Sequence, residues 1–203
     1  HERRLLMQSA GAINVGGIVK LVKEILKITL FIELAGAIIL AFRFCVQPDI
    51  GIQKGIYFAI FHSVSAFCNA GFDIMGTKSG EFTSLTHYSA QPVINITIML
   101  LISVGGIGFL VWEDICKHKW RIREYRTQSK LVLIVTAVLI VLSAVYFFFF
   151  ECGDLPVTER IFASLFQSVT PRTAGFNTIN LTAISDTGLY LMIILMLIGG
   201  SPG

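Results

Sequence analysis

The chain has 203 residues, of which 54% are hydrophobic and 14% charged, with a formal net charge of +3. A soluble domain carries roughly 25% charged residues, so composition excludes an ordinary water-soluble fold. The net charge is small and its distribution says more than its value: a basic run beside spans this hydrophobic reads as a topology signal rather than a nucleic-acid-binding surface.

Taken in chain order, residues 1–24 read as a cytoplasmic or interfacial leader. Arg3, Arg4, Lys20 and Lys23, with Lys27 just beyond, outnumber Glu2 and Glu24. Residues 25–112 hold a span (Ile28 to Val46), a short apolar stretch (Lys54 to Cys68), an irregular loop and a second span (Pro92 to Trp112). A bilayer core needs about 20 mostly apolar residues per helix, and both spans qualify. Residues 113–128 form a basic linker. Counted to Lys130, it carries Lys117, Lys119, Arg121, Arg123, Arg126 and Lys130 against Glu113, Asp114 and Glu124. Residues 129–203 repeat the pattern with a span (Leu131 to Phe150), a short stretch (Thr158 to Pro171), a loop and an apolar run from Gly188 to Gly200. That last run is too short to cross. The chain begins with His1 and stops at Ser201-Pro202-Gly203, so it reads as a fragment whose second repeat is truncated in its last span.

Excess Lys and Arg mark the cytoplasmic side. The leader and the 113–130 linker are therefore expected in the cytoplasm of a multi-pass plasma-membrane protein, with both loops entering from outside. Cys45, Cys68, Cys116 and Cys152 show no metal-ligand spacing. Cys45 and Cys152 fall at the outer ends of spans and could pair, although buried free thiols are the commoner state.

The internal repeat is the most informative feature. Ile60-Phe61-His62-Ser63-Val64-Ser65 matches Leu165-Phe166-Gln167-Ser168-Val169-Thr170, and Asn69-Ala70-Gly71-Phe72-Asp73 matches Thr173-Ala174-Gly175-Phe176-Asn177. The copies lie about one hundred residues apart, and each is followed by a span with paired glycines, Gly105-Gly106 and Gly199-Gly200. Both are entered from a basic segment, so they are parallel repeats. The short stretches should be re-entrant helices, with Thr158 as cap and Glu159 in the first turn of the second. The chain then returns as irregular backbone, which lipid tolerates only where it is buried in protein or lines water.

Such a unit suits a cation filter. Backbone carbonyls replace a hydration shell without a fixed charge that would trap the ion. Turning successive carbonyls to one side needs a residue at positive φ, which glycine provides freely. Asn69, Ala70, Gly71 and Phe72, with Thr173, Ala174, Gly175 and Phe176, are the candidate ion-binding residues. Each re-entrant helix would aim its negative C-terminal end at the ion. Phe72 and Phe176 would wedge the loops from outside, and Asp73 would concentrate cations. His62, whose counterpart is Gln167, reads as a packed histidine. Arg172 either acts on ion entry or ties the loop to its surroundings. Glu33 shares a stripe with Thr29, Ala37 and Ala41, so a structural hydrogen bond to a neighbouring segment is favoured over a transport role. A secondary carrier with re-entrant helices, for another cation or small solute, would need more polar side chains within its spans than Glu33, Asn95 and a few hydroxyls. A membrane enzyme finds no acid-base pair or phosphate loop here.

The stretches Phe61 to Asp73 and Gln167 to Asn177 resemble the second and third pore loops of the Trk/Ktr/HKT potassium transporter superfamily, and most of all its Ktr-type membrane subunits. The resemblance covers essentially the whole chain. It implies an all-α integral membrane fold of tandem helix, pore-loop, helix repeats, potassium-channel-like, with four such units around one pore, of which this chain supplies two. It implies transported K+, with Na+ coupling in some members, and no further cofactor. It also implies a homodimer in membrane lipid and a cytosolic nucleotide-binding regulatory subunit, with the basic linker on the side where that subunit would dock. Gly199, Gly200, Ser201, Pro202 and Gly203 resemble the start of the intramembrane loop that gates the pore beneath the filter.

Overall fold

The computed structural model describes residues 15–76, 83–119 and 121–200. Among them every regular element is helical. In chain order these are α1 (Val15–Phe44), α2 (Gly51–Phe67), α3 (Pro92–Gly106), α4 (Phe109–His118), α5 (Thr127–Tyr146), α6 (Val157–Val169) and α7 (Asp186–Ile198). The chain divides after Ile32 into two compact units. In its described part the first is the opening of α1, with an exposed Glu24–Lys27 pair at 3.9 Å. The rest of α1 and all later elements belong to the second. Of the expected leader, residues 1–14 lie outside the described residues.

Among the described residues, two helices are each long and apolar enough to cross a membrane, Val22–Phe44 and Thr127–Glu151. The second runs past α5 through a π-helical turn, Phe147–Glu151. Their outward faces are bare hydrocarbon: Phe42 is 72% exposed, Leu142 64% and Phe150 75%. Surfaces of this kind are solvated by acyl chains rather than water.

The expected span from Pro92 to Trp112 is not one straight helix. It breaks between α3 and α4 with a bend of 97°. Glycines are the cause: Gly105 and Gly106 end α3, and Gly108 turns the chain at φ +89. The corner is strapped by the Trp112 indole N–H, which donates to the Val104 carbonyl at 3.1 Å.

α4 and α5 are clasped by Asp114. Its carboxylate accepts from the Arg126 backbone N–H (3.0 Å) and the Ser129 hydroxyl (2.5 Å), which serves the start of α5 from across the linker. Burial alone would raise the Asp114 carboxyl; the Ser129 hydroxyl and the Arg126 amide and guanidinium more than offset that and hold it below the ordinary aspartate value.

The short helices α2 and α6 have 17 and 13 residues. At 1.5 Å per residue they reach roughly 25 and 20 Å, short of a hydrocarbon core of about 30 Å. α6 starts two residues earlier than a Thr158 cap would place it. Pro156, with φ −54 and ψ 144, holds the capping position, and Thr158 lies inside the first turn rather than capping it. α2 packs on α3 and α5 on α6, while the two repeats meet where α3 crosses α6. Of the small residues expected to share a stripe with Glu33, Ala37 is buried, and the adjacent Gly36 is close-packed. A Cβ on Gly36 would lie 2.7 Å from the Ser63 hydroxyl and 2.8 Å from Leu101. A separate core forms behind α7, from Phe147, Ile184, Met192 and Leu195.

Outside the loops, polar contacts stitch the repeats together. The Leu85 N–H donates to the Asn177 carbonyl (2.9 Å), the Asn177 N–H to the Ser84 hydroxyl (3.2 Å) and the Ser89 hydroxyl to Glu159 (2.5 Å). Asn95, buried in α3, braces this segment by donating to the carbonyls of Tyr88 and Ser89 at 3.0 and 2.8 Å.

Candidate functional site: the two glycine loops

Each loop leaves the C-terminal end of its short helix in the same way. In the first, the Ala70 N–H donates to the Ser65 carbonyl at 2.9 Å; in the second, the Ala174 N–H donates to the Thr170 carbonyl at 3.0 Å. Ser65 and Thr170 then act a second time. The Ser65 hydroxyl donates to the Phe72 carbonyl at 2.7 Å, and the Thr170 hydroxyl to the Phe176 carbonyl at 2.5 Å. One residue at the end of each helix thus holds the loop at both its start and its finish.

Between these anchors the backbone alternates. Asn69 and Gly71 have φ of 51 and 69, and Thr173 and Gly175 have φ of 80 and 87. Left-handed residues two apart in both loops are sparse conformations that surrounding structure must hold. Asn69 is secured by its own side chain. Its amide, oriented to suit its neighbours, donates to the carbonyls of Ile102 (3.3 Å) and Ala66 (3.2 Å).

The loops touch at their glycines. A Cβ on Gly71 would overlap the Ala174 carbonyl oxygen and lie 3.0 Å from the Gly175 Cα. The paired glycines pack against the loops and the end of α2. A Cβ on Gly105 would run into the Phe67 carbonyl, and one on Gly200 would lie 3.4 Å from both the Gly106 carbonyl and the Thr173 hydroxyl. Gly199, at φ +65, borders the Thr173 methyl. Ser201, Pro202 and Gly203, the rest of the expected gate, lie outside the described residues.

Compared with the family model of a cation transport protein, TrkH, residues 2–203 match. The chain belongs to the TrkH cation transport protein family. It is 38% identical over 206 residues to the potassium/sodium uptake protein NtpJ of Enterococcus hirae, covering 99% of this chain and 44% of that protein. It is 33% identical over 204 residues to the Ktr system potassium uptake protein B of Bacillus subtilis, covering 98% and 44%. The Vibrio alginolyticus protein of the same name is 36% identical over 188 residues, covering 89% and 39%. The chain thus spans less than half the length of these relatives. The TrkH family is one of transporters rather than enzymes, and the apolar helices agree with a membrane location.

Within this TrkH-family chain the two wedge phenylalanines part company. Phe176 is fully buried, whereas Phe72 is 70% exposed over a groove lined by Tyr57, Ile60, Phe61 and Val64. Arg172 is buried, and its guanidinium donates to the Thr136 hydroxyl of α5 at 3.0 Å, so its contact ties the second loop to a span. Glu33 makes the expected hydrogen bond to a neighbouring segment, accepting the Cys68 thiol at 3.8 Å, while its backbone carbonyl accepts the Ser63 hydroxyl at 2.6 Å. Asp73 caps its own turn by accepting the Met75 N–H at 3.0 Å. His62 is fully buried. All four cysteines are free thiols. Sequence reasoning did not single out Ser65, Thr170 or Thr136. The first two carried a signal, since the repeat keeps a hydroxyl at the same place in both copies.

Proposed function

We propose that the two loops form part of a potassium filter, in a protein that moves K+ across the plasma membrane as a component of a potassium uptake system. The observation that carries this reading is the doubled device: a short helix, a hydroxyl latch on the phenylalanine carbonyl, and left-handed residues two apart, meeting its copy glycine to glycine. With the Phe72 and Phe176 carbonyls accepting the latches, the oxygens of Asn69, Ala70 and Gly71 and of Thr173, Ala174 and Gly175 are the ones to cage the ion. The alternating left-handed residues turn neighbouring carbonyls toward one side, and the C-terminal ends of α2 and α6 supply partial negative charge without a fixed ion. Relatives named for potassium and for potassium/sodium uptake support K+ as the cargo. By resemblance, the remaining pore repeats complete the cage, the subunit pairs with a second copy in lipid, and a cytosolic nucleotide-binding subunit regulates it. Gly199 and Gly200 begin the gate below the second loop.

The test is rubidium and sodium uptake by the full-length protein in cells lacking their own potassium uptake. Gly175→Ser should admit sodium or abolish rubidium uptake while the protein still reaches the membrane. Unchanged, rubidium-selective uptake would reduce Gly175 to a turn glycine and end the filter reading.

A further inference from the structure

We propose that His62, on the short helix of the first repeat, is a positioning residue for the loop of the second, acting through the ring of Phe176. This rests on the filter reading above.

His62 is held rigidly. It is fully buried, and its Nδ1 lies 2.7 Å from the Phe58 carbonyl one turn back. A carbonyl only accepts, so Nδ1 carries the proton and the ring has one tautomer and one direction. The rings of Phe44, Phe58 and Phe61 enclose it at centroid distances of 5.9, 6.3 and 5.7 Å. The fourth ring against the imidazole is Phe176, at 6.3 Å and an interplanar angle of 33°. Among the described residues this is the one ring contact that Phe176 makes, and it comes from the other repeat.

Phe176 is thereby fixed at two points. Its carbonyl accepts the Thr170 hydroxyl of its own helix, and its ring abuts His62. It follows Gly175 directly, so any movement of the ring passes to the glycine carbonyl through one peptide unit. Packed interiors transmit such displacements rather than absorb them. Among the described residues the first loop has no counterpart of this device. Phe72 is exposed, and Gln167, which stands where His62 does, turns its amide to the Met192 sulfur at 3.1 Å. The imidazole also leaves Nε2 buried without a hydrogen-bond partner. A phenyl ring would leave no such atom, so His62→Phe separates the ring contact from the polar nitrogen.

The experiment measures the sodium-to-rubidium uptake ratio of the full-length protein, normalised to the amount in the membrane. His62→Ala and Phe176→Ala should each raise the ratio about two- to tenfold, the range a ring pair is worth. The double variant should be no worse than either single one, and His62→Phe, which restores a ring, should return the ratio to near wild type. Should His62→Ala reach the membrane poorly, His62→Gln places the other repeat's residue there and is read the same way. Additive effects, or a His62→Phe ratio as high as that of His62→Ala, would overturn the proposal. So would an unchanged ratio in His62→Ala or His62→Gln alongside an altered one in Gly175→Ser, and in that case the filter reading survives. If Gly175→Ser is also unchanged, the filter reading fails first and this proposal with it.

Discussion

The two loops of this chain share a pattern, a pair of hydroxyl latches and an alternation of left-handed residues, yet they differ in what stands behind them. The second is enclosed: Phe176 and Thr170 are buried, Arg172 is pinned to α5, and His62 presses on the Phe176 ring. The first is open on one side, with Phe72 70% exposed and Cys68, at the end of its helix, exposed as well. A repeat therefore encodes the path of the backbone through contacts within some ten residues. Rigidity comes from neighbours that differ between the copies.

The strongest way to break this comparison is at the glycines. Gly71 and Gly175 share a positive φ, so alanine strains both by about 1–3 kcal/mol. Asn69 and Thr173 bear the same strain, which makes it survivable on its own. Space separates the two. A Cβ on Gly71 would overlap the Ala174 carbonyl, whereas one on Gly175 would lie 3.6 Å from the Gly71 Cα, ordinary contact. Gly71→Ala should therefore abolish rubidium uptake, and Gly175→Ala should leave measurable uptake with poorer selectivity. Equal losses in a rubidium flux assay would mean that φ alone governs both positions.

The next effect in size contrasts the paired glycines. In the first repeat a Cβ on Gly105 would strike the Phe67 carbonyl, a backbone atom that cannot swing away; in the second, one on Gly200 meets nothing closer than 3.4 Å. Gly105→Ala should cost about 3 kcal/mol as overpacking, seen as a lower melting temperature of the purified protein, and Gly200→Ala less than about 1 kcal/mol. A destabilising Gly200→Ala would place the tighter seam under the second loop instead.

Much of this arrangement was readable from residue order, for physical reasons. The spans within α1 and α5 are long and apolar, and length against bilayer thickness is a robust signal. The repeat gave the short helices and the loops because each follows from local backbone chemistry. What escaped depends on neighbours distant in sequence. The bend after Gly106 was hidden because apolar residues continue to Trp112 on both sides of it, and only the third glycine, Gly108, hinted at a turn. Phe72 and Phe176 close the same Ala-Gly-Phe triplet, so the shared motif does not separate the exposed ring from the buried one. Arg172 was ambiguous for the same reason: its partner, Thr136, lies on another span.

The smallest expected effect sharpens the comparison most, because it changes one atom in each copy. Ser65 and Thr170 make the same hydrogen bond, to the carbonyls of Phe72 and Phe176. Removing a hydroxyl from a buried pair leaves the carbonyl unsatisfied, at about 1–3 kcal/mol, whereas water can replace it where the site is open. Thr170→Val keeps the shape of threonine and buries its deficit beside a fully enclosed Phe176; Ser65 is itself buried, but Ser65→Ala leaves its deficit at the carbonyl of Phe72, whose residue is largely exposed. Thr170→Val should therefore raise the sodium-to-rubidium uptake ratio about fivefold and Ser65→Ala about twofold or less, with Thr170→Ser near wild type because it keeps the donor. The order of the two matters more than their size. If Ser65→Ala proves the more damaging, water does not reach the first latch, the exposed face of Phe72 is covered in the working protein, and the contrast between an open and an enclosed loop belongs to this chain alone.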